Sequence, residues 1–545
     1  MAKKARSKPA ASRKPAASRK PAASRKPAAS RKPAASPRRT RQAATKPRPT
    51  ARRKTSPRST PPVCLEDAEQ IDAIRTALKR SNYAAAVLAA MSTDPAESQE
   101  AASEEHPMVR MFMRGERVAA DEARAGLEPL PLEAWKESGL IDLRRGFAVP
   151  LARLEPYGDL IVASDLGWWR PDAAKDAVMG LTGSTLWLAN LRIRRKSRLT
   201  LDVGTGTGIQ ALLAASHSDH VIATDVNARA IEFAKFNARL NGISNIEFLA
   251  GDLFEPAKGS KFDLILSNPP FVISPEFRTL CRDNTGDGDE FLQRIVATLP
   301  RHLNDGGFGQ VFCDWAQIEG ETWSVRLAKW FGESGCDALV LRTETLHPAQ
   351  YASNFLDGRD KADLQRLHRS WTTYLAKRRI ESIGRGMITM RRASRRPVWV
   401  RADDLPKPVQ KKSGDAIERA FGSRDFLDEN DDKQLLDTKL RVSPHLRVES
   451  HLEPSSAGWG LRGARLVLTR GISYSAMIGP ALMKVVLRCN GMHPLRDLLG
   501  GIGPKAGGAA KTRVENSVKA VRSLIANGFL WPAATGESDD ENSPG

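Results

Sequence analysis

Residues 262–266 carry Phe262, Leu264, Ile265 and Leu266, and this apolar run stops on Ser267-Asn268-Pro269-Pro270-Phe271. Two successive prolines have fixed φ and no N–H, so neither a strand ladder nor a regular helix runs on through them. The stretch reads as a buried parallel strand that delivers a stiff polar loop to the carboxyl edge of a sheet, where open α/β folds place their ligands. The expected class is therefore α/β.

The loop offers acceptors. With no prolyl N–H to compete, the Asn268 side-chain oxygen and the Pro269 carbonyl can together hold both hydrogens of a planar amino group, while Phe271 supplies a ring for a flat amide or base. Such a grip aims the nitrogen lone pair for alkylation. No titrating base has to act first, because the proton can leave afterwards. Asn268, Pro269, Pro270 and Phe271 are the expected catalytic residues. A rigid turn after a strand is the plain alternative, but Asn-Pro-Pro followed by an aromatic is a more specific pattern than Pro-Pro alone.

Upstream segments supply further strand ends. Residues 199–203 read as a strand running into the turn Asp202-Val203-Gly204-Thr205-Gly206-Thr207-Gly208 and a helix from about Ile209. Position 209 is Ile, so Gly-x-Gly-x-x-Gly is not met and a nicotinamide dinucleotide is the poorer choice. Residues 220–224 form a second strand ending on Asp225, placed to accept from ribose hydroxyls. An amphipathic helix over residues 227–240 follows, with Asn227 as its N-cap and Asn241-Gly242 as its stop. Residues 246–250 form a third strand ending on Gly251-Asp252-Leu253, where Asp252 can accept an adenine amine and Leu253 can pack on the ring. A turn or helix cap explains either acid alone equally well. The four strand ends together are hard to explain that way.

In this order, on a βα alternation, the motifs make residues 196–392 resemble a class I S-adenosylmethionine-dependent methyltransferase of the Asn-Pro-Pro-aromatic N-methyltransferase group. The resemblance implies a seven-stranded Rossmann-like sheet, with later strands over 307–314, 338–344 and an antiparallel 386–392 after a long helix near 359–380. It implies S-adenosylmethionine as cofactor, with Asp202, Gly204, Thr205, Gly206 and Gly208 at the methionine end, Asp225 at the ribose and Val226 a further cofactor contact. Asp252 and Leu253 would take the adenine, with Asn268 completing the set; no metal is implied. The continuation Phe271-Val272-Ile273-Ser274-Pro275, then Arg282-Asp283 and Gly286-Asp287-Gly288-Asp289, resembles the release-factor glutamine-N5 methyltransferases, whereas the guanine-N2 enzymes usually carry His after the aromatic. It also resembles longer bacterial relatives of unassigned substrate. The implied activity is methylation of a planar NH2, first a glutamine of a translation-factor-type protein, alternatively an adenine N6 or guanine N2 amine of rRNA or DNA. A non-catalytic nucleic-acid-binding protein on a methyltransferase scaffold is the rival class, and the intact Asn-Pro-Pro-Phe speaks against it.

The flanks differ in composition. Residues 1–62 hold 21 Lys and Arg and no Asp or Glu, which leaves 84 − 21 = 63 basic against 63 acidic residues elsewhere, so the net charge of +21 lies wholly in this tail. Its Lys-Pro-Ala-Ala-Ser-Arg repeats start at Lys8, with a fifth copy at Lys32 ending in Pro37, and cannot form a core. The tail is expected to be disordered and to condense on nucleic acid or to serve only as a solubilising extension. Residues 63–195 read as a separate winged-helix-like domain, with helices over 66–80 and 132–140 and β-like runs over 147–154 and 159–163. Trp168, Trp169 and Trp187 then lead into the core domain, with interdomain packing the first explanation for most of them and a pocket wall the second. Residues 403–531 read as a second accessory domain, with strand-like 441–449 and 464–469 and helical 481–490 and 514–526, followed by an acidic end over 532–545. Five separated cysteines without Cys-x-x-Cys argue against a disulfide framework or zinc site. No apolar run approaches a membrane span. The expectation is a cytoplasmic monomer, associated with ribosome or nucleoid through its tail.

Overall fold

The computed structural model describes residues 68–92, 105–283, 287–356, 360–393, 398–406, 412–456, 458–500 and 508–533. The basic tail, Gly286 and the acidic end beyond residue 533 lie outside the described residues.

The centre is an eight-stranded sheet of β1 (Ser197–Val203), β2 (Ser218–Asp225), β3 (Ile246–Ala250), β4 (Phe262–Ser267), β5 (Leu303–Ile318), β6 (Cys336–Leu346), β7 (Ile380–Arg392) and β8 (Val400–Asp404). Their order is β8-β6-β7-β5-β4-β1-β2-β3. β7 is antiparallel to both neighbours, and the other pairings are parallel. The inner strands are continuous hydrophobic runs because helices cover both faces: Leu201, Val203, Leu264, Ile265 and Leu266 are all fully buried. Seven strands were expected. The eighth, Val-Arg-Ala-Asp-Asp, joins the β6 edge with no residue fully buried, so it lacks the apolar run that marks an interior strand.

Helices α1 (Gly183–Leu191), α2 (Ile209–Ala215) and α3 (Ala228–Leu240) follow. α2 and α3 are the crossovers from β1 to β2 and from β2 to β3. α3 begins where the Asn227 side chain accepts from the Arg229 N–H at 3.0 Å. After β3 the chain returns to the far side of β1, so strand order reverses between β1 and β4 and a crevice opens at their carboxyl ends. Ser267 Oγ donates to the Val203 carbonyl at 2.9 Å and ties the two strands where the crevice starts.

The N-terminal segment does not close a core of its own. Ile74, Phe112 and Trp135 belong to one buried cluster with Phe233, Phe236 and Leu240 of α3. Arg75 donates to the carbonyls of Leu240 and Arg239, both at 2.9 Å, satisfying the end of α3. Asn237, fully buried, pairs with the Ala163 backbone in both directions, at 2.7 and 2.9 Å. The expected run over 147–154 is two strands, Phe147–Pro150 and Ala152–Tyr157, in different sheets.

At the other end, helix Gly414–Glu429 sets Phe421 edge-on against Phe308 of β5, ring centroids 5.2 Å apart. The expected run over 441–449 is also divided. Lys439–Val442 pairs with Asn490–Pro494 and Leu530–Pro532, while Leu446–Ser455 pairs with Gly458–Leu468. Pro444 stands at the break, where a missing N–H ends a ladder. The helix expected over 481–490 is Pro480–Val486, because Asn490 already begins a strand. Among the described residues no helix is long and apolar enough to cross a membrane, and no group of acids, His and Cys is arranged to hold a metal.

Candidate active site

Two cavities meet at the loop after β4. The narrower, about 120 Å³, is a cleft lined by the glycine turn (Gly204, Thr205, Gly206), by Asp225, Val226, Asp252 and Leu253, and by Asn268, Pro269 and Pro270. The wider, about 750 Å³, is lined by Trp168, Trp169, Trp187, Phe271 and Phe355, by Arg170, Arg278, Arg282 and Arg385, and by Glu344. Asn268, Pro269, Met179 and Cys281 belong to both walls.

The glycine turn brings its main chain to the cleft. Gly204, Gly206 and Gly208 have φ of +73°, +56° and +85°, which side-chain-bearing residues rarely adopt. A Cβ at Gly204 or Gly206 would meet nothing within 4 Å, whereas one at Gly208 would lie 3.0 Å from Ala234 Cβ of α3. The first two glycines therefore leave the turn open to a ligand, and the third lets α3 pack. Neither Asp202 nor Gly208 lines the cleft. Asp202 is 1% exposed and sits behind the turn, its Oδ2 accepting from Thr205 Oγ1 at 2.6 Å and from the Ala211 N–H at 3.1 Å. It holds the turn rather than reaching the ligand space, which corrects the expectation of a direct contact. Burial pushes its carboxyl up to about 7, against the pull of those two hydrogen bonds.

Asp225 Oδ2 accepts from the Gly206 N–H and Oδ1 from the Asn227 N–H, each at 2.9 Å, so this acid fastens β2 to the same turn. Burial raises its pKa as well. Val226, 61% exposed, and Leu253 line the same cleft as the glycine turn. Leu253 has φ of +47°, and its carbonyl accepts from Thr224 Oγ1 at 3.1 Å. Gln210, absent from the sequence reading, also lines the cleft. Its Nε2 donates to the Thr185 carbonyl at 3.0 Å, and its buried Oε1 has no hydrogen-bond partner.

Asn268 is in the same condition. Its Nδ2 donates to Ser184 Oγ at 3.3 Å, and its Oδ1 is buried without a partner. Pro270 turns toward the cleft and Phe271 toward the wider cavity. The Phe271 ring meets Phe312 edge-on at 6.4 Å, and the Arg385 guanidinium lies 5.7 Å from its centroid.

All three tryptophans line the wider cavity, which overturns interdomain packing as the first explanation for them. Arg385, which lines it, belongs to a buried network that sequence reading missed. Asp314 of β5, fully buried, accepts from Arg385 Nε at 2.7 Å, Arg385 Nη2 at 3.0 Å and Tyr351 OH at 2.9 Å. Tyr351 OH in turn accepts from the Ile273 N–H at 3.0 Å, two residues beyond Phe271. The one available signal was an aspartate inside the apolar run of β5.

The methyltransferase small domain family matches residues 181–313, and a domain of unknown function matches residues 418–532. Over 156 residues the chain is 35% identical to a Methanocaldococcus jannaschii protein named "putative protein N5-glutamine methyltransferase", covering 27% of this chain and 77% of that one. It is 34% identical over 166 residues to the ribosomal RNA small subunit methyltransferase C of Salmonella arizonae, covering 29% and 43%. It is 33% identical over 132 residues to the release factor glutamine methyltransferase of Xylella fastidiosa, covering 22% and 48%. The match spans less than half the length of the last two relatives. A strand order that reverses beside a glycine turn, joined to this identity over most of the first relative, settles the family: the chain belongs to the class I S-adenosylmethionine-dependent methyltransferases.

Proposed function

We propose that this chain methylates the side-chain nitrogen of a glutamine in a protein substrate. The observation that carries the reading is Asn268 Oδ1, a buried acceptor without a partner, in the wall shared by the two cavities. An orphaned buried acceptor costs roughly 1–3 kcal/mol, and a donor NH2 arriving from the wider cavity relieves that cost.

S-adenosylmethionine fits the cleft: positive-φ glycines admit a close ligand, Asp225 and Asp252 offer acceptors, and Gln210 Oε1 is a further unpaired acceptor. When bound, it supplies an electrophilic methyl group on a sulfonium. The chain's own residues then have four tasks. Asp202 and Asp225 fix the glycine turn. Asp225 and Asp252 receive ribose hydroxyls and the adenine amine, with Val226 and Leu253 against the ring. Asn268 Oδ1 and the Pro269 carbonyl hold the two hydrogens of the target amide, draw its nitrogen toward tetrahedral geometry and aim its lone pair at the cleft. Phe271 and the tryptophans exclude water from the wider cavity, and the proton leaves the nitrogen after transfer.

The second reading is an exocyclic amine of an RNA or DNA base. The four rings of Trp168, Trp169, Trp187 and Phe271 favour it, since a base stacks on such surfaces. Transfer of labelled methyl to a lysate, followed by protease and nuclease (RNase and DNase) arms, separates the two. Label lost to protease is the expected result, and label lost only to nuclease would install the base reading in its place.

A further inference from the structure

Among the described residues, the buried side-chain polar atoms on the wider cavity's wall that lack a hydrogen-bond partner are two of opposite kind: Asn268 Oδ1, an acceptor, and Arg282 Nη2, a donor. Arg282 is otherwise firmly placed. Its Nε donates to Asp283 Oδ1 at 2.8 Å. Asp283, 2% exposed, also accepts from the N–H groups of Arg278 and Thr279 at 2.7 and 3.1 Å. The guanidinium carbon lies 5.7 and 5.6 Å from the ring centroids of Phe355 and Trp371. The Arg282 carbonyl accepts from the Val272 N–H at 3.1 Å, so the residue is registered to the strandlike segment that follows Phe271. A guanidinium held this way has already lost its rotamer freedom, and a buried N–H left unpaired is unfavourable until an acceptor reaches it.

Resting on the reading of Asn268 as the grip on the target NH2, we propose that Arg282 is a second substrate-binding residue. Its Nη2 donates to an acceptor oxygen of the polypeptide around the methylated glutamine, a main-chain carbonyl or a flanking carboxylate. The wall thus reads the substrate twice, once as a donor at Asn268 and once as an acceptor at Arg282. Charge-assisted donation to an oxygen is the strong form of such a contact and rewards the planar fork of arginine over the point charge of lysine.

The test uses the full chain with Arg282→Lys and Arg282→Gln, at saturating S-adenosylmethionine, measuring labelled methyl transferred to increasing amounts of the protein fraction of a lysate. Both variants are expected to raise the half-saturating amount roughly tenfold or more, with the plateau rate and the calorimetric cofactor affinity close to those of the unaltered chain. A wild-type half-saturation that climbs with NaCl while that of Arg282→Gln does not assigns the oxygen to a carboxylate, and a salt-indifferent pair assigns it to a carbonyl; both support the proposal. Unchanged half-saturation overturns it. So does joint loss of cofactor affinity and melting temperature in both variants, since Arg282 would then be structural. Wild-type label found only in RNase-sensitive material removes the glutamine reading itself, whatever the variants do.

Discussion

The cleft and the wider cavity share Asn268 and Pro269 yet are built by different means. The cleft lies at the carboxyl ends of four neighbouring parallel strands, each bringing a short contiguous motif, with segments 177–180 and 280–281 closing it. The wider cavity comes from side chains far apart in sequence, at 168–187, 271–282, 344, 354–355 and 385. Its shape depends on a buried ion pair and on aromatic contacts. A cavity built on contiguous strand-end motifs suits a fixed ligand, whereas one made of side chains scattered in sequence can be altered for different substrates without disturbing the cofactor end. The relatives matched in part by this chain carry the names of both protein and ribosomal RNA methyltransferases.

The sharpest way to break this comparison is at the shared wall. Asn268→Ala is expected to lower turnover by on the order of 10²–10³, as does removal of one aligned polar group elsewhere, while cofactor affinity measured by calorimetry changes little. Equal loss of both would mean that Asn268 belongs to the cleft alone and that the two cavities are not functionally separate.

Asp202 gives the next largest effect, confined to the cleft's support. Burial raises its folded pKa from 3.8 to about 7, so the fold favours the protonated acid. Its contribution to stability is fully present below the unfolded pKa and is lost as pH rises toward 7. Asp202→Asn keeps acceptor capacity for Thr205 and Ala211 without that titration. The stability of Asp202→Asn relative to wild type should therefore increase from pH 5 to pH 7, by at most about 1.4 kcal/mol per pH unit, in denaturant titrations. A difference that stays constant over this range would show that the carboxylate is ionised throughout.

The same contrast explains what the sequence disclosed. The β4 run and its Asn-Pro-Pro-Phe, the glycine turn and the acids Asp225 and Asp252 could be placed because each is a local pattern at a strand end, and the parallel sheet follows from their spacing. Asp202 was misjudged because sequence adjacency to the turn does not say which side of it a side chain occupies. Arg385, Tyr351 and Asp314 were hidden, since only the pairing of β5 with β7 and the packing of helix Pro348–Asn354 bring them together. Trp168 and Trp169 were visible as residues, with a pocket wall only their second explanation, and β8 was missed because an edge strand needs no apolar run.

Trp169 sharpens the comparison from the substrate side. It is 51% exposed, lies 5.7 Å from Trp168 in edge contact and sits beneath the Arg153 guanidinium at 5.5 Å. Because so little of the core depends on it, Trp169→Ala should leave the melting temperature nearly unchanged and raise the substrate half-saturation by roughly fivefold to tenfold, the scale of one aromatic contact. A change in cofactor affinity of the same size would place Trp169 at the cleft instead.

The smallest effect separates two glycines of a single turn. Gly204 and Gly208 both need positive φ, at +73° and +85°. Alanine at either position therefore carries a left-handed penalty of about 1–2 kcal/mol. Only at Gly208 does the added Cβ also approach α3, 3.0 Å from Ala234 Cβ and 3.2 Å from its Cα. Gly204→Ala should thus cost little more than the backbone term in stability and express itself mainly as weaker cofactor binding, because its Cβ stands in the open space of the cleft. Gly208→Ala should cost more stability while affecting cofactor affinity only as far as the turn shifts. Unfolding curves and calorimetry on the two variants test this together. If Gly204→Ala proves the more destabilising, then the turn rather than its packing on α3 is the weak point of the cleft, and the distinction drawn between its three glycines fails.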